Sequence, residues 1–449
     1  MSQVKKSNLK GFYMCSLTYS FERMAFYASR WLMVTYVGTE LAKGGLGLGK
    51  ATGGNMQAYL TAFTYAAPVL MAFIADRLIG SKYLIPLGLV FMSSGYLVGG
   101  FFGTYPSLWL MIALVSIGTG LFKANLASLS GTLFATPGEK EASYSTQYSF
   151  INIGALIGTL TIGVIAAKFG FMASFKLTGI ICLIGTIWFV FGWRVLGDAG
   201  SKPFKATNSE KKEEKNTSTR PLAPYEVRRM VSILIVTIFS IIFWTFWYLT
   251  YLVVYDYLEK YVNLQYGSFT IPTSWADSSN SLFCIALGPV LGMLWLKLSK
   301  RPQGDMSLYK KVGLGMFLLA SSFGILLVAE AIRGIGSPET NKVSIAWVVL
   351  IIFLMSLGEM FFSPLGNSFV AKYAPKKYLS TMMGFWVLGV FVASFIYGAV
   401  YGVTLKMNFM TAYSIITGIL VVSALLIILF EKKLASLVQL KPGEKLLED

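Results

Sequence analysis

Long apolar runs, cut by Gly, Pro or charged clusters, recur along the whole chain. At about 20 residues per helical crossing, they predict spans at 11–37, 53–75, 82–102, 107–134, 145–167, 172–195, 228–257, 268–297, 309–331, 344–371, 380–403 and 410–430. Twelve spans leave almost no sequence for a soluble domain. One segment breaks the pattern. From Asp198 to Arg220 the chain is rich in Lys, Glu, Ser and Thr and nearly free of large apolar side chains, the composition of a flexible linker. It divides the spans six and six. The pattern predicts an all-α membrane protein with twelve transmembrane helices in two six-helix bundles: residues 1–195 and 226–431 as the bundles, 196–225 as a cytoplasmic linker and 432–449 as a cytoplasmic tail. Two such halves would set a site near the midplane between them.

Composition agrees with the pattern. Of 449 residues, 55% are hydrophobic and 13% charged, and the mean hydropathy is +0.63. The excess of 38 basic over 21 acidic residues would suggest nucleic acid in a soluble protein, but its distribution argues otherwise. With odd-numbered loops outward, 27 basic residues fall in the inward set, 8 in the outward set and 3 inside spans. This is the positive-inside bias, and it places both termini in the cytoplasm of a multi-pass protein of the inner (plasma) membrane. Basic patches interleaved with exposed aromatics, the mark of a nucleic-acid partner, do not appear. The first apolar stretch is long and charged, unlike the short core of a cleavable signal, so it is expected to remain as a helix.

The chain has no histidine, which excludes HExxH metal sites, His-activated nucleophiles and His proton relays. Cys15, Cys182 and Cys284 lie in apolar stretches without metal-ligand spacing and read as free buried thiols without a functional role. An enzyme is disfavoured, and no metal or cofactor is expected.

Gly154 and Gly158, and Gly288 and Gly292, stand four apart within spans, a spacing that lets helix backbones approach closely. Packing is the expectation for both pairs. Pro68, Pro289 and Pro364 lie inside spans, where proline removes a backbone hydrogen bond and kinks the helix.

The informative residues are charges inside spans, each costing about 2.5–3.5 kcal/mol at a span's centre. In the first span Tyr19, Glu22, Arg23, Phe26, Tyr27 and Arg30 share one helical face, which cannot point at lipid. Lys123 shares a face of the fourth span with Ser116, Thr119, Gly120, Ala127 and Ser130, small neighbours that leave room for an ammonium or a ligand. Ser356, Glu359, Ser363, Gly366 and Asn367 form a polar stripe in the tenth span, and Asn152 and Asn280 add neutral polar groups in the fifth and eighth. Internal pairing of Glu22 with Arg23 or Lys123 would account for those residues as helix glue. It accounts less well for Arg30, Lys123 and Glu359 on three separate spans, for which a hydrated cavity is the better explanation. The stripe Trp244, Tyr248, Tyr251 and Tyr255 in the seventh span reads as packing more readily than as ligand contact.

These residues carry a specific likeness. The stretch YSFERMAFYASR resembles the ExxERFxYY signature of the proton-dependent oligopeptide transporters of the major facilitator superfamily, matching at Glu22, Arg23, Tyr27 and the following Arg30. GTGLFKAN around Lys123 resembles the fourth-span GxGxxKPN, with Ala124 for proline, and QYSFINIGAL around Asn152 is similar to the signature ending in INxGS. SLGEMFFSPLGNSFVAKYAPKKYLSTMMGFW is similar to SxGExxxSPxG…AP…MMGxW, matching Glu359, Ser363, Pro364 and Trp386. IADRLIG after the second span resembles the major facilitator loop motif, although Met71 and Ala72 stand where glycine is usual. Two departures concern coupling: Tyr19 replaces the first acid of the first signature, and FWTFWY places Tyr248 where a seventh-span acid should be.

The resemblance implies uptake of di- and tripeptides, or peptide-like solutes, by alternating access. Arg30 and Lys123 would hold the substrate carboxylate, and Glu359, with Asn152 and Asn280, its ammonium. Ser363 belongs to the same polar stripe. Tyr27, Tyr65, Trp244 and Trp386 would line side-chain pockets, where aromatics accept varied shapes at little rotamer cost. Glu22, Arg23 and Lys123 would be the proton-coupling set, with Lys123 as the partner of Glu22 and the missing acids weakening the drive. Asp277, near the outer end of the eighth span, reads as an ordinary solvated carboxylate more readily than as a substitute acid. The expected partners are a small peptide, protons as coupling ion and the lipid bilayer, with no nucleic acid, and the chain is expected to act as a monomer. Rival readings are a carrier of another organic anion or drug-like solute, and a membrane peptide sensor that does not transport.

Overall fold

The computed structural model describes residues 7–203, 222–302, 306–363, 365–442 and 444. They are almost wholly helical and cluster into two compact units, Met1–Glu213 and Glu214–Asp449.

Unit 1 contains α1 (Leu9–Gly38), α2 (Lys50–Arg77), α3 (Ser81–Phe102), α4 (Tyr105–Thr132), α5 (Pro137–Phe191) and the one-turn α6 (Trp193–Leu196). The fifth and sixth predicted spans are the two arms of α5, divided at Gly170, where φ is 81° and ψ 172°. That backbone conformation is open to glycine and strained for any other residue. Start signals are explicit: Thr104 with Ser107, and Thr136 with Glu139, form capping boxes behind which Pro106 and Pro137 open α4 and α5, satisfying N–H groups that a helix start leaves orphaned.

Gly154 and Gly158 do serve packing. A Cβ at either would collide with the α1 backbone, at the carbonyls of Ser20 and Met24. Gly120 is used the same way, pressed on the Ala67 backbone of α2, so part of the room expected beside Lys123 is filled by helix contact.

The segment after α6 departs from the linker expectation. Lys82 of α3 donates through its backbone N to Gly200 O (3.0 Å) and through Nζ to Gly197 O (2.7 Å). Residues 198–203 are therefore pinned to the start of α3; of the rest of the expected linker, 204–221 lie outside the described residues and Pro224 and Tyr225 already belong to the next helix.

Unit 2 runs α7 (Pro224–Tyr261), a two-stranded hairpin β1 (Gln265–Tyr266) and β2 (Phe269–Thr270), α8 (Trp275–Ser299), α9 (Leu308–Arg333), α10 (Ala346–Phe362), α11 (Leu365–Tyr373), α12 (Leu379–Thr404), α13 (Phe409–Leu429) and α14 (Glu431–Val438). The eighth span starts at Trp275, not at 268, because the residues before it turn back at Gly267 (φ 61°) into the hairpin. The tenth is in two pieces. α10 ends at Phe362 and α11 begins at Leu365, on either side of Pro364, which lies outside the described residues. Gly288 and Gly292 differ from the pair in unit 1: a Cβ at Gly288 would meet only Met360 Cε at 3.7 Å, and one at Gly292 nothing within 4 Å. Among the described residues, backbone packing at the eighth-span pair is not seen.

The expected tail is ordered through Val438. Ser307 Oγ donates to Glu431 (2.6 Å), Lys310 Nζ pairs with it at 3.1 Å, and Tyr309 Oη donates to Leu434 O (3.1 Å). Arg229 Nε donates to Val438 O (3.1 Å), and Arg228 pairs with Glu444 at 2.6 Å. α14 is thus clamped across the first turns of α7 and α9.

Eight described helices are long and apolar enough to cross a membrane: α3, α4, α5, α7, α8, α9, α12 and α13. α1 and α2 are longer than most of these, at 30 and 28 residues, and α10 is apolar but has 17 residues. The chain is a multi-pass membrane protein.

Candidate functional site

Each unit carries one face of polar side chains, and each is built by helical register. In unit 1 the α1 face is buried: Tyr19 5%, Glu22 0%, Arg23 6% and Arg30 2% exposed. Glu22 takes both of its carboxylate oxygens to one guanidinium, Arg23 Nε and Nη2 donating side by side. A fork-to-fork pair of this kind is the strong form of ion pair, and between sequence neighbours it costs little chain entropy. The Arg23 guanidinium also lies 4.5 Å from the Phe26 ring centre and 5.9 Å from that of Tyr27, while Arg30 approaches Tyr27 at 5.6 Å. Two cations therefore flank one phenol ring. The Arg30 backbone is held by Gln57 of α2, whose Nε2 donates to Arg30 O (3.1 Å).

Lys123 of α4 does not pair with Glu22. Its ammonium sits 4.5 Å from the ring centre of Tyr65 on α2, a cation–π contact. In place of the pairing expected from family likeness, Arg23, one residue along, engages both oxygens of Glu22. Asn152 of α5 is 8% exposed and returns its Nδ2 to Tyr148 O (3.0 Å). Tyr19, standing where the family has an acid, packs edge-on against Phe122 at 5.6 Å, so that position has become apolar core.

In unit 2 the centre is Glu359 of α10, 9% exposed. Asn280 of α8 donates to its Oε2 (3.0 Å) and to Ser356 Oγ (2.9 Å), and Cys284 Sγ lies 3.5 Å from the same Oε2. Asn280 and Cys284 are one helical turn apart on α8, as Ser356 and Glu359 are nearly so on α10, so two short stripes face each other. Ser363 caps α10, its N donating to Glu359 O (2.7 Å). Trp386 of α12 is 8% exposed and lies directly against Gly366, where any side chain would collide with its indole. The side chain of Asn367 is outside the described residues.

The α7 stripe is mainly packing. Tyr248 stacks on Tyr397 of α12 at 5.3 Å, Phe243 stacks on Phe362 at 4.2 Å, and Trp247 meets Tyr251 at 5.1 Å. Trp244 and Trp247 share a further feature: the Nε1–H of each is buried with no hydrogen-bond partner among the described residues. Asp277 departs from the expectation of a solvated carboxylate. It is 2% exposed and accepts a hydrogen bond from Tyr255 Oη of α7, so it is not a solvated carboxylate.

Sequence reasoning missed two elements. Cys284, expected to be a buried thiol without a functional role, stands four residues from Asn280 and on the same face. The buried pair Glu330–Arg333 (2.7 Å), at the end of α9, is closed by Arg333 Nη1 donating to Ser337 O (2.8 Å) and by the Tyr261 ring 4.1 Å from the guanidinium. Its i, i+3 spacing was the available signal. It staples a loop to its helix and faces no ligand-binding residue named above.

A charged face on a membrane helix in each unit is the arrangement of a solute carrier. The sequence matches the POT family over residues 83–212 and 206–416. The chain belongs to the POT family. It is a membrane transporter, not an enzyme. Among similar proteins, the uncharacterized transporter YclF of Bacillus subtilis is 27% identical over 428 residues, 84% of this chain and 85% of that one. A di-/tripeptide transporter of Lactococcus lactis subsp. cremoris is 23% identical over 423 residues, covering 82% and 84%. The crystal structure of a POT family transporter in complex with a thioalcohol-conjugated peptide superimposes with a TM-score of 0.84 at 22% identity, covering 94% and 96%. The fold is the major facilitator fold of those transporters.

Proposed function

We propose that this POT family member takes up di- and tripeptides, or solutes that mimic them, across the inner membrane by alternating access, as a monomer with both termini cytoplasmic. The reading divides the chain into bundles at 1–195 and 226–431. The observation that carries it is the Glu359 carboxylate, buried on Asn280 and Ser356 in unit 2, while the α1 face of unit 1 neutralises Glu22 internally and keeps Arg30 and Lys123 as further cations. A zwitterionic peptide presents the complementary pair of ends. Arg30 and Lys123 hold its carboxylate and Glu359 its ammonium. Tyr27, Tyr65, Asn152, Trp244, Ser363 and Trp386 complete the substrate-binding set, with the Trp244 N–H offered to a peptide carbonyl.

Proton coupling works through Glu22 and Arg23. Protonating Glu22 removes the partner of Arg23, whose guanidinium already lies against Tyr27, the ring that Arg30 also flanks. Charge is thereby released toward the carboxylate site. The test is counterflow in proteoliposomes. Glu359→Gln should weaken free-amine dipeptides on the order of 10- to 100-fold, the worth of a charged hydrogen bond, and leave N-acetylated ones nearly unchanged. Equal losses for both would make Glu359 a structural residue.

A further inference from the structure

Cys284 has no role in the reading above, and its surroundings supply one. Its Sγ is 3.5 Å from Glu359 Oε2, the oxygen that also accepts from Asn280 at 3.0 Å. The thiol is 2% exposed, and on its other side it joins an apolar cluster with Leu291, Met360 and Phe361. A glutamate's terminal torsion is broad and soft. Two donors converging on one oxygen from a single helix hold the carboxylate plane in one rotation. The apolar cluster behind the thiol limits how much water can take its place.

A hydroxyl would serve this position less well. On a helix, Ser and Thr turn back to the carbonyl four residues before, as Ser356 does to Ile352 O (2.7 Å) and Thr250 to Phe246 O (2.8 Å). A thiol is a weaker donor than a hydroxyl, and here its sulfur lies 3.5 Å from Glu359 Oε2.

We propose that Cys284 is a positioning residue of the ammonium site: with Asn280 it orients the Glu359 carboxylate, and so sets how strongly the transporter prefers a free amino terminus. The proposal rests on Glu359 being the ammonium site. The test compares Cys284→Ala, which removes the donor, with Cys284→Val, which removes it and keeps the apolar volume. Counterflow is measured with dialanine and N-acetyl-dialanine. Both variants should raise the KM for dialanine about 3- to 10-fold, the worth of one hydrogen bond, with kcat and the N-acetyl KM unchanged. In a Glu359→Gln background, Cys284→Ala should add nothing. Wild-type behaviour in Cys284→Val, or equal changes for both peptides, would reduce Cys284 to packing and overturn the proposal. If Glu359→Gln itself spares the preference for a free amine, the ammonium assignment fails first. If Glu359→Gln abolishes that preference and both Cys284 variants retain it, the Cys284 proposal alone fails.

Discussion

At the scale of single residues, the membrane makes unpaired charge expensive, and the positions of Glu22, Arg23, Arg30, Lys123 and Glu359 follow from how each is compensated. Glu22 and Arg23 compensate each other at adjacent positions. Lys123 uses an aromatic face, which stabilises a cation by about 0.5–2 kcal/mol and leaves the ammonium able to exchange it for a carboxylate. Arg30 lies beside Tyr27 with its backbone held by Gln57. A guanidinium grips a carboxylate with two parallel hydrogen bonds, where an ammonium acts as a point charge. Arg30→Lys should therefore raise the KM for dipeptides about 3- to 10-fold and narrow their advantage over the corresponding C-terminal amides. Wild-type affinity in this variant, measured by competition for uptake, would remove Arg30 from the carboxylate site.

At the scale of elements, two features invite measurement. The elbow of α5 turns on Gly170 at φ 81°, with nothing within 4 Å of a Cβ placed there. The cost of Gly170→Ala is thus backbone strain alone, about 1–3 kcal/mol, and thermal unfolding in detergent should show a lowered Tm with substrate preference intact. An unchanged Tm would mean that the elbow relaxes freely. The clamp on α14 is electrostatic at its far end. Hydrogen bonds from Arg228, and then from the Lys441 backbone, hold the Glu444 carboxyl down at about 2. A carboxylate depressed in this way stabilises the folded clamp at any pH above its ordinary value, and that stabilisation is lost as pH falls through about 2. At neutral pH the pair is at full strength but only half-buried, so salt still screens it in part. Glu444→Gln should speed amide hydrogen exchange in residues 431–442, and high salt should do the same to the wild type. Exchange unaffected by both would show that the Tyr309 and Arg229 contacts suffice.

At the scale of the whole molecule, the question is energy coupling. Two family acids are absent: Tyr19 has become core against Phe122 and Tyr248 a stacking partner of Tyr397. Of the acids described inside spans, Glu22 is the one paired with a cation on the proposed carboxylate-binding face. Uptake should respond weakly to an imposed pH gradient, and the response should vanish in Glu22→Gln. Strong gradient-driven accumulation that survives Glu22→Gln would sink this scheme and turn attention to Asp277, buried against Tyr255.

Much of this was legible in the chain itself, because hydrophobic periodicity and the cost of buried charge are local properties. The apolar character of the spans, the polar faces of α1 and α10 and the family signatures need no neighbouring helix to be read. Partner choice is different, because it depends on which side chain reaches a group first in three dimensions. Sequence left Glu22 to choose between Arg23 and Lys123, and only the folded geometry assigned it to Arg23. The same Gly-xxx-Gly spacing packs against backbone in α5 and not in α8, since what it meets is set by the element opposite. Asp277 looked solvated at a span's end until α7 brought Tyr255 onto it, and Cys284 looked inert until α10 brought Glu359 within reach. Local spacing determined which residues share a face, and tertiary packing decided what that face touches.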